Sequence, residues 1–97
     1  MIRHVALFRW KEGTSAEAVE ALASGLATMP DVIPGIQRYE FGSDLGITDG
    51  AYDFGLVADF DAEAAYHVYA THPAHLELVD LLRRFVEETS RMQFHLA

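Results

Sequence analysis

The densest chemistry in this chain lies in Tyr69-Ala-Thr-His72-Pro73-Ala-His75, a phenol and two imidazoles in one short stretch. An imidazole titrates near neutrality and can take up or give a proton. His75 falls in the first turn of a helix that Pro73 would open, where the helix dipole keeps the ring neutral, the state a base requires. Local packing or hydrogen bonding is the alternative reading. His72 precedes Pro73, which points to an N-cap or turn position and a structural role. Tyr69 stands on the other side of the break, where its phenol could hold the imidazole or polarise a carbonyl. With Tyr66 at i, i+3 it reads equally as a core aromatic with a wetted hydroxyl. His4 shares a strand face with Ile2, Ala6, Phe8 and Trp10. An imidazole on so apolar a face needs a polar partner, so His4 is a satisfied core residue or the wall of a pocket. His95 raises the same alternatives.

Other chemistries are excluded. The chain has no cysteine, which removes disulfides, thiolate catalysis and Cys-based zinc sites. Of His67, His72 and His75 only the last two have useful metal-ligand spacing, Pro73 disrupts the helix between them, and no carboxylate completes a set, so no metal is expected. No serine sits in a nucleophile-like turn and no Gly-rich phosphate loop follows a strand, so no cofactor is expected either. Seven basic against 15 acidic residues give a net charge of −8, which argues against nucleic-acid partners and anionic membrane surfaces. No apolar run approaches the ~20 residues that span a bilayer, and no basic-then-apolar leader opens the sequence. The expected location is cytoplasmic.

The elements that must position these residues follow from periodicity. Length alone, at 97 residues, suits one domain over 1–97. Residues 1–10 alternate as a strand, with Val5 and Leu7 on the face opposite His4, and residues 11–13 turn. Thr14-Ser15-Ala16-Glu17 reads as a capping box. It opens a helix with the stripe Val19, Leu22, Ala23, Leu26 and Met29, which Pro30 should end. A second strand runs from Ile36 to Phe41 with Gln37, Tyr39 and Phe41 on one side. A polar loop over 42–50 leads to a third strand carrying Phe54, Leu56, Ala58 and Phe60 on one face. Asp61 should cap a helix over roughly 62–71. A further helix from Pro73 to about Glu88 carries Leu76, Val79, Leu82 and Val86, widened by Leu78, Leu81 and Phe85. Arg91, Gln93 and His95 alternate with Met92, Phe94 and Leu96 in a last strand.

The order βαββαβ, with the second helix broken, predicts an α+β, ferredoxin-like subunit with an antiparallel sheet and helices on one face. The other face is apolar at Val5 and Leu7, so a second copy, sheet against sheet, is expected to cover it. A homodimer is the predicted assembly.

Ile-Arg-His4-Val-Ala-Leu-Phe-Arg-Trp, Ile33-Pro34-Gly35 and the corner Tyr69-x-x-His72-Pro73-x-His75 together resemble the stress-responsive α/β-barrel family over nearly the whole chain. That resemblance implies a dimeric α+β barrel. One relative, the plant enzyme olivetolic acid cyclase, closes a linear polyketide thioester by aldol condensation without a cofactor. By resemblance His75 is the general base, Tyr69 orients it or polarises a carbonyl, and His4 lines the same pocket. The pocket then lies between sheet and helices, with Ala6, Phe8, Leu22, Leu26 and Leu78 as its walls. A small hydrophobic or polyketide-like molecule is the implied ligand. Two positions depart from the cyclase. Leu26 stands where it has a second pocket tyrosine, and Gln93 or His95 stands where it has a last-strand aspartate.

Overall fold

The computed structural model describes residues 1–97. Four strands and three helices follow in the order β1 (Ile2–Trp10), α1 (Ala16–Val32), β2 (Ile36–Ser43), β3 (Phe54–Phe60), α2 (Glu63–Thr71), α3 (Pro73–Leu82) and β4 (Val86–His95). The strands form one antiparallel sheet in the order β2-β3-β1-β4. This is the ferredoxin-like α+β fold that the periodicity predicts. β1 lies in the middle and β4 at the edge beside it, which sets His4 directly across from Gln93.

Alternation decides which face of the sheet is buried. Ile2, His4, Ala6 and Phe8 on β1, and Phe54, Leu56, Ala58 and Phe60 on β3, point to the helices and are buried. Leu22, Leu26 and Met29 come down on them from α1 at helical spacing. α3 approaches α1 at Gly25, where a Cβ would run into the Leu78 side chain. Gly35, at φ +90°, makes the turn from α1 into β2 in a conformation that L side chains rarely adopt. The other face of the sheet carries no helix, and it leaves Leu7, Met92 and Phe94 at 36%, 57% and 42% exposure. Arg3 and Asp59 lie across that face as a two-bond ion pair of 2.7 and 2.9 Å.

Several boundaries differ from the sequence expectation, each for a local reason. The N-cap of α1 is Ser15, whose Oγ accepts from Ala18 N at 3.1 Å, while Thr14 donates its hydroxyl back to Lys11 O. Pro30 does not end α1. The helix continues to Val32, and Ile33 N–H closes it on Met29 O at 2.9 Å. In β2 a bulge after Ile36 turns Gln37 outward and puts Ile36 on the Tyr39 and Phe41 face. Asp61 does not cap α2. Its carboxylate instead accepts from Gln37 Nε2 at 3.0 Å, and Ala62 holds the cap position without a side-chain bond. Helix α3 stops at Leu82 rather than near Glu88, because a turn through Arg83 and Arg84 sends the chain into the longer β4. Val86 therefore belongs to the sheet and pairs with Trp10.

Candidate functional site

The site begins at the break between α2 and α3. Pro73 has no N–H to give and biases His72 to extended backbone, and His72 sits at φ −65°, ψ 135°. His72 is at once the C-cap of α2 and the N-cap of α3. Its N–H closes on Tyr69 O at 3.2 Å, and its Nδ1 accepts from Ala74 N at 3.1 Å. In an unbroken helix Ala74 N–H would have gone to Ala70 O. Drawn off to His72, it leaves that carbonyl free, and His75 Nδ1 takes it at 3.2 Å. A carbonyl only accepts, so the proton of His75 sits on Nδ1 and Nε2 carries the lone pair. The break thus fixes the tautomer of the one imidazole that faces the cavity from this corner.

His4 has the opposite tautomer. The side-chain amide nitrogen of Gln93 donates to its Nδ1 at 2.8 Å, so the proton lies on Nε2. Neither Nε2 has a protein partner, and no fully buried side-chain nitrogen or oxygen goes unbonded. Neither Nε2 is therefore fully buried, and both rings are in the lining of one cavity. Burial is the main cause that holds both rings neutral. It pushes the His4 pKa down to about 4, with His75 and Arg91 lowering it further. Burial also lowers that of His75, against the bond from Ala70 and with help from His72.

Tyr69 is buried at 2% exposure, and its ring lies against that of His75 at 4.2 Å between centroids. Its hydroxyl meets Tyr39 on β2 at 2.8 Å, so the ring, not the hydroxyl, touches the imidazole. Burial raises both phenols, Tyr69 to about 12, and keeps the pair protonated. The phenol without a bonded partner is that of Tyr66, whose ring is 5.1 Å from His4. The sequence leaves Tyr66 open as a core aromatic with a wetted hydroxyl and does not single out Tyr39. The i, i+3 spacing of Tyr66 and Tyr69 was the available signal for the first, and nothing local marked the second.

A cavity of about 320 Å³ lies between sheet and helices at this corner. His4, Tyr66, Tyr69 and His75 line one side, and Ala6, Phe8, Val79 and Leu82 are among its apolar walls. Leu22, Leu26 and Leu78 are not in its lining. Leu22 and Leu26 are buried in the core over β1 and β3, and Leu78 packs against Gly25, so the sequence expectation for these three is corrected. Gln93 reaches the site only through His4, and His95 lines a separate cleft with Glu63, Tyr66 and His67. No three His, Asp or Glu side chains converge as metal ligands do. Chemically, the site offers one acceptor nitrogen, one donor nitrogen and one phenol beside a mainly apolar chamber, with Arg83, Thr89 and Arg91 also in the lining.

Comparison with known proteins gives this geometry its relatives. A stress-response A/B barrel domain-containing protein, HS1, of Arabidopsis thaliana is 29% identical over 82 residues, 82% of this chain and 75% of that protein. A dimeric ferredoxin-like protein of unknown function from Thermobifida fusca superposes with a TM-score of 0.92 at 38% identity, over 98% of this chain and 90% of the other. A hydroxynitrile lyase from Passiflora edulis shares the fold, with a TM-score of 0.87 at 16% identity over 99% and 93% of the two chains. The family described as the stress responsive A/B barrel domain matches residues 2–95, and the chain belongs to that family.

Proposed function

We propose that this protein is a homodimer whose subunits each hold a small, mainly apolar ligand between sheet and helices. One observation carries the reading: a cavity of about 320 Å³ with apolar walls and two neutral imidazoles of opposite hydrogen-bonding sense at one side. Ligand pockets begin at about 300 Å³ and place a few polar groups among apolar walls. Such a chamber suits an apolar molecule with a carbonyl or hydroxyl that uses both nitrogens. NMR titration of the full chain with aryl ketones and phenols tests this. Resonances of Ala6, Tyr69 and His75 should shift together, and Val79→Phe, which fills the chamber, should abolish the shifts. Shifts confined to the outer surface would refute it.

Dimerisation rests on the uncovered sheet face, with Leu7, Met92 and Phe94 exposed, and on the dimeric description of the Thermobifida fusca structure. Leu7→Glu should convert a dimer to a monomer in light scattering at micromolar concentration. A wild-type monomer would contradict the assembly.

A second reading is catalytic, and the tautomer of His75 favours it. With Nδ1–H held by Ala70, Nε2 is a free base at neutral pH, able to take a proton α to a carbonyl. His4 Nε2–H would then donate to the developing oxyanion. No cofactor enters this step. The Passiflora edulis lyase supports it only so far as the fold can house an enzyme. His75→Ala should abolish turnover of a linear β-keto thioester and leave the folded state intact. Wild-type protein that binds such thioesters without turning them over would remove this reading and leave the binding one.

A further inference from the structure

Charge is unevenly shared between the cavity and the rest of the surface. The chain has 15 acidic and seven basic residues, yet Arg83 and Arg91 line the cavity and no Asp or Glu does. Arg91 is the β4 partner of Ala6, so its side chain leaves the sheet on the inner face, beside His4. It lies near enough to disfavour the charged form of His4. Arg3, Arg9 and Arg38 each have a carboxylate within 4 Å, at 2.7, 3.9 and 3.6 Å, whereas Arg91 has none. Arg83 is paired only with exposed Asp80 at 3.6 Å, one turn away on its own chain segment, a contact of little strength.

Resting on the binding reading above, we propose that the ligand is an apolar acid, its carboxylate received by Arg91 with Arg83 as the second cation. The guanidinium fork matches a carboxylate with two parallel bonds, and this one has no other anion to satisfy it. A lone free fork at the edge of an apolar chamber suits one small anionic group better than a phosphate, which needs several donors around it. The net charge of −8 repels anions at a distance, but salt screens it beyond about 8 Å. Recognition is therefore local: the apolar body enters beside Ala6 and Phe8, and the head stops at β4.

The test uses 3-phenylpropanoate, octanoate, the primary amide of each, and phenyl phosphate, titrated calorimetrically into the full chain. Wild type should bind each acid about 10-fold or more tightly than its amide, the range expected for a hydrogen bond to a charged group. Arg91→Gln should erase that preference. Arg83→Gln should reduce it about 2–3-fold, in keeping with a loosely held exposed charge. Equal binding of acid and amide to wild type, both lost in Val79→Phe, overturns the carboxylate assignment and leaves the binding reading standing. A preference that survives both arginine substitutions, or phenyl phosphate binding more tightly than the acids, also overturns it. If neither acids nor amides bind at millimolar concentration, both readings fail.

Discussion

The helix-covered face of the sheet has two ends, both built from aromatic rings at the same spacing. At one end Phe8 lies 5.9 Å from Trp10, Trp10 lies 5.1 Å from Phe85, and Phe41 stacks on Phe54 at 6.2 Å. At the other end His4 lies 5.1 Å from Tyr66, and Tyr69 lies 5.9 Å from Tyr39 and 4.2 Å from His75. The first cluster is almost wholly hydrocarbon and packs ring against ring, with an open cleft of about 420 Å³ beside Phe41 and Phe54. The second places a polar atom on each of these five rings, packs the hydrocarbon ring of Phe60 against Tyr66 and Tyr69, and borders a cavity. Ring packing of one kind thus stores stability at one end, while at the other it holds nitrogens and hydroxyls in fixed orientations beside open space. The difference lies in the atoms on the rings, and substitutions at the two ends should separate accordingly.

The largest effect belongs to the dry end. Phe54 is 3% exposed and touches Phe8, Trp10 and Phe41. Phe54→Ala should cost about 3–5 kcal/mol, the transfer term plus the cavity left behind. Urea denaturation at fixed protein concentration measures it. A loss below about 1 kcal/mol would mean that this end collapses easily, and the contrast with the polar end would disappear.

At the polar end the strongest lever is pH. The pKa of His4 is about 4 in the folded protein, against 6.5 for a free histidine. Between those values the unfolded chain binds the extra proton and the folded one does not, so stability rises with pH. The contribution is complete above pH ~6.5 and is lost as pH falls to ~4, roughly 3 kcal/mol at 1.36 kcal/mol per unit. His75, also lowered, acts in the same direction. Asp59, held below the usual carboxylate range by Arg3, is a separate case. It stabilises above the carboxylate's unfolded value and is lost only as pH falls through its lower folded one, beneath the histidine window. His4→Leu should therefore flatten the stability profile between pH 6.5 and 4.5 and leave the steeper acid limb. An unchanged profile would mean that His4 takes up its proton at the same pH in the folded protein as in the unfolded chain.

How much of this could be read beforehand differs between the two ends. The dry end was legible, because alternation along β1 and β3 alone aligns Phe8, Phe54 and Leu56 on one face. So was the corner at Pro73, since proline chemistry is local. The polar partners were not. Tyr39 meets Tyr69 across 30 positions of sequence, and Gln93 meets His4 across 89, through sheet order that no local pattern encodes. The walls were misjudged for a related reason. Leu22, Leu26 and Leu78 are apolar and face inward as expected, but the close approach of α1 and α3 at Gly25 places them in the filled part of the layer. Alternation puts Arg91, Gln93 and His95 on one face of the last strand, but only the pairing of Arg91 with Ala6 makes that face the inner one. The meaning of Arg91 came only from seeing what else lines the space.

A smaller effect sharpens the comparison at Tyr69. Tyr69→Phe keeps the ring against His75 and removes one hydroxyl of the Tyr39 pair. It should cost about 1–2 kcal/mol, the range for leaving a buried polar partner unsatisfied. The same substitution should leave ligand affinity nearly unchanged, because the hydroxyl points to β2 and away from the cavity nitrogens. A large loss of binding with unchanged thermal stability would reverse that assignment and make the phenol a ligand contact.

The smallest expected effect separates two histidines three positions apart. His72 works through one backbone bond, from Ala74 N–H to Nδ1, and carries no role in the cavity lining. His72→Ala removes the cap and should cost about 1 kcal/mol. His72→Asn supplies an acceptor of the kind helices prefer at that position, so stability should return to within about 0.5 kcal/mol of wild type. Rescue by Asn would show that the imidazole at 72 is needed only as an acceptor. Rescue has a further consequence at His75. With the cap intact, Ala74 N–H stays away from Ala70 O, and that carbonyl stays available to hold His75 Nδ1. In His72→Ala the freed Ala74 N–H can compete for Ala70 O, and the tautomer of His75 should become mixed. Imidazole nitrogen shifts of His75 in the two variants report this directly, and a single unchanged tautomer in His72→Ala would show that Pro73 alone keeps the break open.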